Sequence, residues 1–408
     1  MSYTVEHQCP QCGAPVDLEE TTRLLRCPYC DVKNYLIARD YFRLVLPASV
    51  AERDIMYVPY LRFKGTIFSC RGVTINHRIV DLTYGGTDFR AFPVSLGFRP
   101  QAVKMKFADN DTPGSFLSCT MSLENVLDRV EKHASAFLSR DFYHRAFIGE
   151  AFSLIYLPVY VEDDKLYDAL ANQLIGRCPE GRDVLSASVE ETPGWHVTFL
   201  PTICPICGWD LDGEKDSVVL TCPNCDSAWE VSEGKFVQTS IQTVTGGGNH
   251  AHYLPFWKIR ATARGVEINS YADFIRVTNQ PKVIQRGWEE QKMNFWIPAF
   301  KIRPNIFLHL ARQLTVNQRD VAVREEVPDD GIYPVTLPLS EAVQSMNVIL
   351  ASSATMKKQI FPLLPSITFT VERATLVYLP FSDAGHEIVH DPMNIGINKK
   401  TLEFARFL

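Results

Sequence analysis

The chain has 408 residues, of which 46% are hydrophobic and 22% are charged, so its composition is that of a globular protein with two or three domains. Its formal net charge of −6 argues against a protein that grips a phosphate backbone, which usually needs a basic excess. The first eight residues lack the basic and apolar regions of a secretory signal, and no apolar run is long enough to cross a bilayer. We therefore expect a cytoplasmic protein without a transmembrane segment.

Eight of the eleven cysteines form two groups with the same spacing, C-x2-C-x14-C-x2-C. The predicted ligands are Cys9, Cys12, Cys27 and Cys30, and Cys204, Cys207, Cys222 and Cys225. Two residues between ligands allow a tight turn to point both thiolates at one ion, and tetrahedral zinc accepts two such turns. Gly13, Asp31, Gly208 and Asp226 follow the second cysteine of each pair, where the chain often needs a positive φ. The pattern predicts two zinc ribbons, each with one structural zinc ion.

Other interpretations of the cysteines are weaker. Rubredoxin-like iron uses similar turns but normally a longer insert, and four thiolates leave no open position for a catalytic metal. A ribbon can bind nucleic acid, but the second one has Lys215 against five acidic residues and would repel phosphate. The isolated Cys70, Cys119 and Cys178 are most simply small apolar residues.

The two ribbons head two copies of one unit, because the same landmarks recur in the same order after each. Tyr57-Val-Pro-Tyr-Leu-Arg matches Tyr253-Leu-Pro-Phe-Trp-Lys, and Leu154-Ile-Tyr-Leu-Pro-Val matches Leu376-Val-Tyr-Leu-Pro-Phe. The predicted domains are ribbon 1 (1–40), a β-rich body (41–176), a linker (177–198), ribbon 2 (199–235) and a second β-rich body (236–408). The predicted class is α+β, dominated by strands, with pseudo-twofold halves.

Alternating apolar residues predict a hairpin in each body. One turns near Arg71-Gly72, and its twin turns near Arg264-Gly265 and continues through Tyr271 and Phe274. Helices are predicted from Ser122, from Ser340 and over Ile306 to Leu314. The aromatic residues around the prolines at the strand starts are interpreted as core, although a peptide-binding sheet edge is an alternative.

The segment His386-Glu387-Ile388-Val389-His390 fits H-E-x-x-H, which binds zinc in proteases when both histidines share a helix face. Gly385 precedes the segment and Pro392 follows it, so the context predicts a strand and a turn rather than a helix. The equivalent place in the first half starts at Glu162 and contains no metal ligands. A zinc protease therefore remains only as an alternative.

The C-P-x-C ribbons followed by Tyr253-Leu-Pro-Phe-Trp resemble uncharacterised bacterial proteins with TFIIB-type or rubredoxin-like zinc ribbons. This resemblance implies zinc binding and a cytoplasmic setting, and it implies no reaction. We accordingly expect a non-enzymatic scaffold or adaptor that binds protein partners, with nucleic-acid binding in transcription as the alternative.

Overall fold

The computed structural model describes residues 3–50, 53–122, 125–128, 142–177, 189–190, 195–246, 248 and 251–405 of the chain. Strands account for 43% of the residues and helices for 18%, which confirms the predicted strand-dominated α+β class. Within these described ranges, no helix combines the length and the apolarity needed to cross a membrane.

The chain divides into two compact units that are not two consecutive segments. Unit 1 contains Met1–Lys64, Val80–Phe137 and Ala151–Pro201, and unit 2 contains Gly65–Ile79, Leu138–Glu150 and Thr202–Leu408. The two early segments of unit 2 belong to its core because Phe68, Cys70, Ala146 and Ile148 are buried in its hydrophobic cluster. The first cysteine group lies in unit 1 and the second lies in unit 2.

The strands up to residue 201 are β1 (Thr4–Gln8), β2 (Pro15–Glu19), β3 (Leu24–Arg26), β4 (Lys33–Ile37), β5 (Phe42–Val45), β6 (Met56–Arg71), β7 (Thr74–Gly85), β8 (Lys104–Phe107), β9 (Ser115–Leu117), β10 (Phe142–Glu162), β11 (Lys165–Asp168), β12 (Gln173–Arg177), β13 (Val189–Glu190) and β14 (Thr198–Pro201). A short helix, α1 (Arg99–Ala102), precedes β8. One sheet has the order β13-β9-β6-β10-β5-β8-β1-β2, with β7 beside β6 and β11 beside β10. The predicted hairpin that turns near Gly72 is confirmed by β6 and β7.

The predicted helix at Ser122 is present where it is described, since residues 125–128 are helical and Val126 and Leu127 are fully buried. Ser122 Oγ accepts a hydrogen bond from the N–H of Asn125 at 3.2 Å, as a helix cap does. The remainder of this prediction falls on 123–124 and 129–141, outside the described residues.

Unit 2 continues with β15 (Val219–Cys222), β16 (Ser227–Ser232), β17 (Lys235–Thr239), β18 (Ile241–Val244), β19 (His252–Arg264), α2 (Tyr271–Thr278), β20 (Phe295–Pro298), α3 (Pro304–Asn317), β21 (Val323–Arg324), α4 (Leu339–Ser353), α5 (Lys357–Ile360), β22 (Thr368–Ala384), β23 (Glu387–His390), β24 (Ile395–Asn398) and α6 (Lys399–Ala405). Its larger sheet has the order β20-β19-β22-β18-β21, with β23 between β22 and β24. The predicted helices at Ile306 and Ser340 are confirmed as α3 and α4.

The predicted twin hairpin after Arg264 is wrong, because the chain turns there and then forms α2 instead of a second strand. Ser270 and Asp273 form a capping box, in which Ser270 Oγ accepts from the N–H of Asp273 at 3.1 Å and the Asp273 carboxylate accepts from the N–H of Ser270 at 3.0 Å. The helix buries Tyr271 and Phe274 on one face, so their spacing of three is helical rather than alternating.

The duplication is visible in the strand registers of each unit. In unit 1, β5 follows the ribbon and runs parallel to β10, with Val45 opposite Tyr156. In unit 2, β18 follows the ribbon and runs parallel to β22, with Thr243 opposite Tyr378. Both Leu-x-Tyr-Leu-Pro segments therefore run parallel to the strand that follows their ribbon, and each continues into an antiparallel hairpin, β10–β11 or β22–β23.

Candidate metal centres

The first cysteine pair of unit 1 lies in a tight turn between β1 and β2. The N–H of Cys9 donates to the carbonyl of Ala14 at 2.8 Å, and the N–H of Gly13 donates to the carbonyl of Cys9 at 2.9 Å. Gly13 has a φ of 73°, which glycine adopts without strain. No atom lies within 4 Å of a Cβ placed at Gly13, so the backbone conformation, and not a lack of space, favours glycine here.

The second cysteine pair lies in the turn between β3 and β4. The N–H of Cys27 donates to Val32 at 3.1 Å, and the N–H of Asp31 donates to Cys27 at 2.9 Å. Asp31 has a φ of 60°, and its carboxylate accepts a hydrogen bond from Arg26 at 2.6 Å. The positive φ expected after the second cysteine is therefore present in both turns, with aspartate in place of glycine in the second.

The four sulfur atoms of unit 1 converge on one point. Cys9 Sγ lies 3.8 Å from Cys30 Sγ, Cys12 Sγ lies 3.7 Å from Cys27 Sγ, and all four lie within 4.8 Å of one another. Four metal–thiolate bonds of about 2.3 Å place tetrahedral sulfurs about 3.8 Å apart, whereas a disulfide needs about 2.05 Å. The arrangement fits one tetrahedral ion and does not fit a disulfide.

The second group repeats this arrangement in unit 2, with each cysteine 195 residues after its counterpart. Cys204 Sγ lies 3.6 Å from Cys225 Sγ, and Cys207 Sγ lies 3.4 Å from Cys222 Sγ. The backbone bonds also recur, since the N–H of Cys204 donates to Trp209 at 2.7 Å and the N–H of Gly208 donates to Cys204 at 2.9 Å. The structure thus brings all eight predicted cysteines into two matching four-sulfur sites.

Backbone N–H groups in the turns stabilise the thiolate form of the first cysteine of each site. The N–H groups of Cys12 and Gln11 lower the pKa of Cys9 to about 7. Burial raises the pKa of Cys204, but the N–H groups of Cys207 and Ile206, together with hydrogen bonds from the side chains of Ser227 and Cys225, outweigh it and lower this pKa to about 6. Such preorganised donors suit a metal ligand, because the thiolate is the form that binds.

Each four-sulfur site needs a cation before all of its thiols can ionise. Burial and the neighbouring sulfurs of Cys207 and Cys225 together raise the pKa of Cys222 to about 12, although backbone N–H groups oppose them. Each thiolate that forms makes the next one harder to form at this separation. A divalent ion at the centre removes this repulsion, so the chemistry of the donor set fits a bound metal.

The two sites differ in the groups around the sulfurs. In unit 2, Ser227 Oγ lies 3.1 Å from Cys225 Sγ and 3.6 Å from Cys204 Sγ, and it accepts a hydrogen bond from the indole of Trp229 at 2.8 Å. The corresponding position of unit 1 is Val32, which has no hydroxyl. Ser227 is not among the residues predicted from the sequence, although aligning the two ribbons by their cysteines shows the difference.

Each ribbon contains a three-stranded sheet, β3-β4-β14 in unit 1 and β15-β16-β17 in unit 2. The third strand of this sheet comes from a different part of the chain in the two ribbons. In unit 1, β14 pairs antiparallel with β4, placing Phe199 opposite Leu36. In unit 2, the same edge is covered by β17, which follows β16 directly and places Gln238 opposite Trp229. The ribbon cores are therefore equivalent, while the strand that covers the edge is not.

Each ribbon is packed against the rest of its own unit. In unit 1, β1 pairs in parallel with β8, and the ribbon residues Cys9 and Cys27 belong to the same hydrophobic cluster as Tyr60 of β6. In unit 2, the N–H of Val218 donates to the carbonyl of Val335 at 2.8 Å. The residues Val219 and Ala228 of ribbon 2 also belong to the hydrophobic cluster of that unit. The four-cysteine sites are therefore parts of larger folded units.

The H-E-x-x-H segment does not form a metal site. Glu387–His390 is strand β23, which confirms the prediction that the segment is not helical, and His386 lies in the preceding turn with its side chain exposed. His390 is 2% exposed, and its Nδ1 lies 2.6 Å from the carbonyl oxygen of Pro380. Within the described part of the chain, the clusters of three or more candidate ligands are the two cysteine groups.

The isolated cysteines show no sign of reactivity where they are described. Burial raises the pKa of Cys70 to about 12, so its thiol stays protonated. Cys119 is half-buried, and its Sγ lies 3.5 Å from the carbonyl of Met121. Cys178 lies outside the described residues.

No protein-family model, curated protein or solved structure matches the chain. The two four-cysteine sites, each near the start of a β-rich region, are thus defined by their own geometry.

Proposed function

We propose that the chain is a non-enzymatic adaptor that binds two structural zinc ions and presents its ribbons to protein partners. The two matching four-sulfur sites support this proposal most directly. Each has four thiol ligands whose sulfurs lie within 4.8 Å of one another, so a tetrahedral ion would have no position left for water or substrate. A closed site of this kind contributes to folding rather than to a reaction.

Zinc is the metal that best suits these sites. It accepts four thiolates in a tetrahedron and does not change its oxidation state, so it acts as a stable cross-link. Binding of zinc to such modules contributes on the order of 10 kcal/mol to folding. A reducing compartment such as the cytosol keeps thiols available for metal, which agrees with the free cysteines of both groups.

The adaptor role is supported by what the ribbons expose. Tyr29 of the first ribbon is 68% exposed and Trp209 of the second is 57% exposed. Large aromatic side chains on a rigid turn are typical anchors of protein interfaces. Since both ribbons are packed on their own units, they can hold such anchors in fixed positions.

Elemental analysis of the full-length protein tests the zinc assignment. We expect two zinc ions per chain and no iron, and a content of iron or of fewer than two ions would contradict the proposal.

Affinity purification from the native host, comparing the wild type with Cys9→Ser and Cys204→Ser, tests the adaptor role. We expect each substitution to reduce the recovery of partner proteins. Salt-sensitive retention on DNA or heparin at moderate ionic strength would instead favour the nucleic-acid alternative.

A further inference from the structure

Three cationic side chains lie together on one face of the larger sheet of unit 2. Lys258 and Arg260 are two residues apart on β19, so they point to the same side of the sheet. Arg373 of β22 is the direct antiparallel partner of Arg260, and directly opposed residues also share a face. Burial lowers the pKa of Lys258, and the charges of Arg260 and Arg373 act in the same direction. We call Lys258, Arg260 and Arg373 the unit-2 basic cluster.

The unit-2 basic cluster has no counter-charge of its own. Among the described residues, no carboxylate forms an ion pair with any of its members. Asp320 acts on Lys258 only through its charge at longer range, and Glu372, which precedes Arg373, is exposed. Arg260 is half-buried, and its Nε is shielded from solvent without a hydrogen-bond partner in the same ranges. Since like charges opposite one another destabilise a sheet, the cluster costs stability unless an anion is bound.

Unit 1 shows how the matching position is neutralised within the fold. Arg62 occupies the place of Lys258 when the duplicated strands β6 and β19 are aligned at their prolines. Arg62 forms ion pairs with Glu20, at 2.8 Å, and with Asp81. Asp81 lies on β7, whereas β19 is followed by the helix α2. The residue 195 positions after Glu20 is Lys215, so neither carboxylate has a counterpart in unit 2.

One cation of the cluster is an addition of unit 2. Arg373 lies three residues before its Leu-x-Tyr-Leu-Pro segment, and Ala151 holds that place in unit 1. Ala151 is 6% exposed and completes a strand of the same kind, so the fold does not require a cation there. Unit 2 therefore lacks the carboxylates of unit 1 and has one more positive charge to balance.

We propose that the unit-2 basic cluster binds a phosphate monoester, whose oxygens accept hydrogen bonds from the two guanidinium groups and from the Lys258 ammonium. A phosphate monoester carries a charge of about −1.5 to −2 at pH 7 and three acceptor oxygens, which suits three neighbouring cations better than a single carboxylate does. The planar donors of arginine pair with two phosphate oxygens at once. Arg373 is exposed, so the ligand can arrive from solvent. This site lies outside the cysteine groups and adds an activity to the proposed adaptor.

A nucleic-acid strand fits the cluster less well than a monoester. Each phosphate of its backbone carries one negative charge, and proteins that bind single strands stack the bases on exposed aromatic rings. Trp296 lies beside the cluster, but it is 2% exposed, and the Lys258 ammonium covers its ring at 5.3 Å from the centroid. The net charge of −6 also disfavours a long polyanion.

Isothermal titration calorimetry of the full-length, zinc-containing protein with inorganic phosphate, at constant low ionic strength, tests the site. We expect one phosphate to bind per chain. Arg260→Gln and Arg373→Gln should each weaken binding at least tenfold, because each removes charge-assisted hydrogen bonds. Arg264→Gln is the matched control, since Arg264 is exposed on the same strand and carries the same charge but lies opposite Thr368. It should change the affinity less than twofold.

Thermal unfolding separates ligand binding from a role in folding. Without phosphate, Arg373→Gln should melt at the temperature of the wild type or higher, because it removes a like-charge contact. Phosphate should raise the melting temperature of the wild type and leave that of Arg373→Gln unchanged.

Two further probes identify the source of the phosphate group. A phosphoserine peptide that binds more tightly than inorganic phosphate, while its unphosphorylated form does not bind, would support a group attached to a partner protein. A peptide that binds more weakly would support a small phosphorylated molecule. The inference is overturned if phosphate does not bind, if its binding survives both arginine substitutions, or if an oligonucleotide without terminal phosphates binds in its place. None of these outcomes changes the zinc content on which the adaptor proposal depends.

Discussion

The indole N–H of Trp229 donates a hydrogen bond of 2.8 Å to Ser227 Oγ, and this leaves the serine hydroxyl hydrogen free to reach a cysteine sulfur. The nearest sulfur is that of Cys225, at 3.1 Å. Trp229 is 5% exposed, so the chain of hydrogen bonds is shielded from water. In the first ribbon the corresponding residues are Val32 and Asn34. The two four-sulfur sites therefore have the same set of four cysteines, but the groups that orient the sulfurs differ between them.

This difference predicts that Ser227→Val weakens metal retention in the second site only. Outer groups that hydrogen-bond to ligands commonly contribute 10- to 100-fold to metal affinity, so we expect zinc release to a chelator to be about tenfold faster from that site. Release is followed with a colorimetric zinc indicator and by tryptophan fluorescence, since Trp229 loses its acceptor. The reciprocal change, Val32→Ser, is the control for side-chain volume. Identical release from wild type and Ser227→Val would show that the hydroxyl does not support the site.

Replacing a ligand has a larger effect. We expect Cys204→Ser to remove one zinc ion per chain, because a hydroxyl at neutral pH is a poor zinc ligand and the remaining three thiolates leave the site incomplete. Ribbon 2 should then lose hydrogen-exchange protection over β15 to β17. Val219 and Ala228 also contribute to the core of unit 2, so protection next to them should fall as well. Protection of β3 and β4 in unit 1 should stay as in the wild type. A variant that still binds two zinc ions would contradict the ligand assignment.

Much of this organisation could be predicted from the sequence because it depends on local chemistry. A C-x2-C turn needs only a proline, a positive φ and two backbone hydrogen bonds, all within six residues, and the match between Tyr156 and Tyr378 could be found by comparing two short segments. An alternating pattern through Tyr271 and Phe274 predicts a strand where α2 lies, and the capping-box spacing of Ser270 and Asp273 is the sequence signal that indicates the helix.

Other features depend on contacts between residues that are distant in the sequence. Phe68 and Ile148 precede the second ribbon, yet they are buried in the core of unit 2, and no periodicity in their own segments indicates this. The positions of Ser227 beside the sulfurs and of Trp209 at the surface can also be recognised only in the folded ribbon. Their positions in the sequence do not show that one faces the sulfurs and the other faces solvent.

His390 makes unit 2 sensitive to mild acid. Burial lowers its pKa, and Nε2 has no hydrogen-bond partner among the described residues. Below the ordinary histidine pKa of about 6.5 the unfolded chain binds a proton that the folded chain does not, so stability falls as the pH decreases below that value. We expect His390→Asn, whose amide can still donate to Pro380, to reduce the difference in melting temperature between pH 7 and pH 5.5. His144, whose pKa is also lowered by burial, is a second source of acid sensitivity. The variant His144→Asn measures its contribution separately. An unchanged difference in His390→Asn would show that His390 titrates normally in the folded protein.

Among the ion pairs between ribbon 1 and the rest of unit 1, Arg62–Glu20 and Lys104–Asp17 should differ greatly in strength. Arg62 and Glu20 are 1% and 2% exposed, with Arg62 Nε 2.8 Å from Glu20 Oε1, whereas Lys104 and Asp17, 2.7 Å apart, are 55% and 52% exposed. Glu20→Ala removes the main partner of a buried guanidinium, which also contacts Asp81, so we expect a loss of about 3 kcal/mol in the free energy of unfolding. Asp17→Ala, the matched control, should cost less than about 1 kcal/mol because water already screens that pair. Urea unfolding followed by circular dichroism measures both, and equal losses in the two variants would mean that burial of the Arg62 pair does not determine how firmly the ribbon is held.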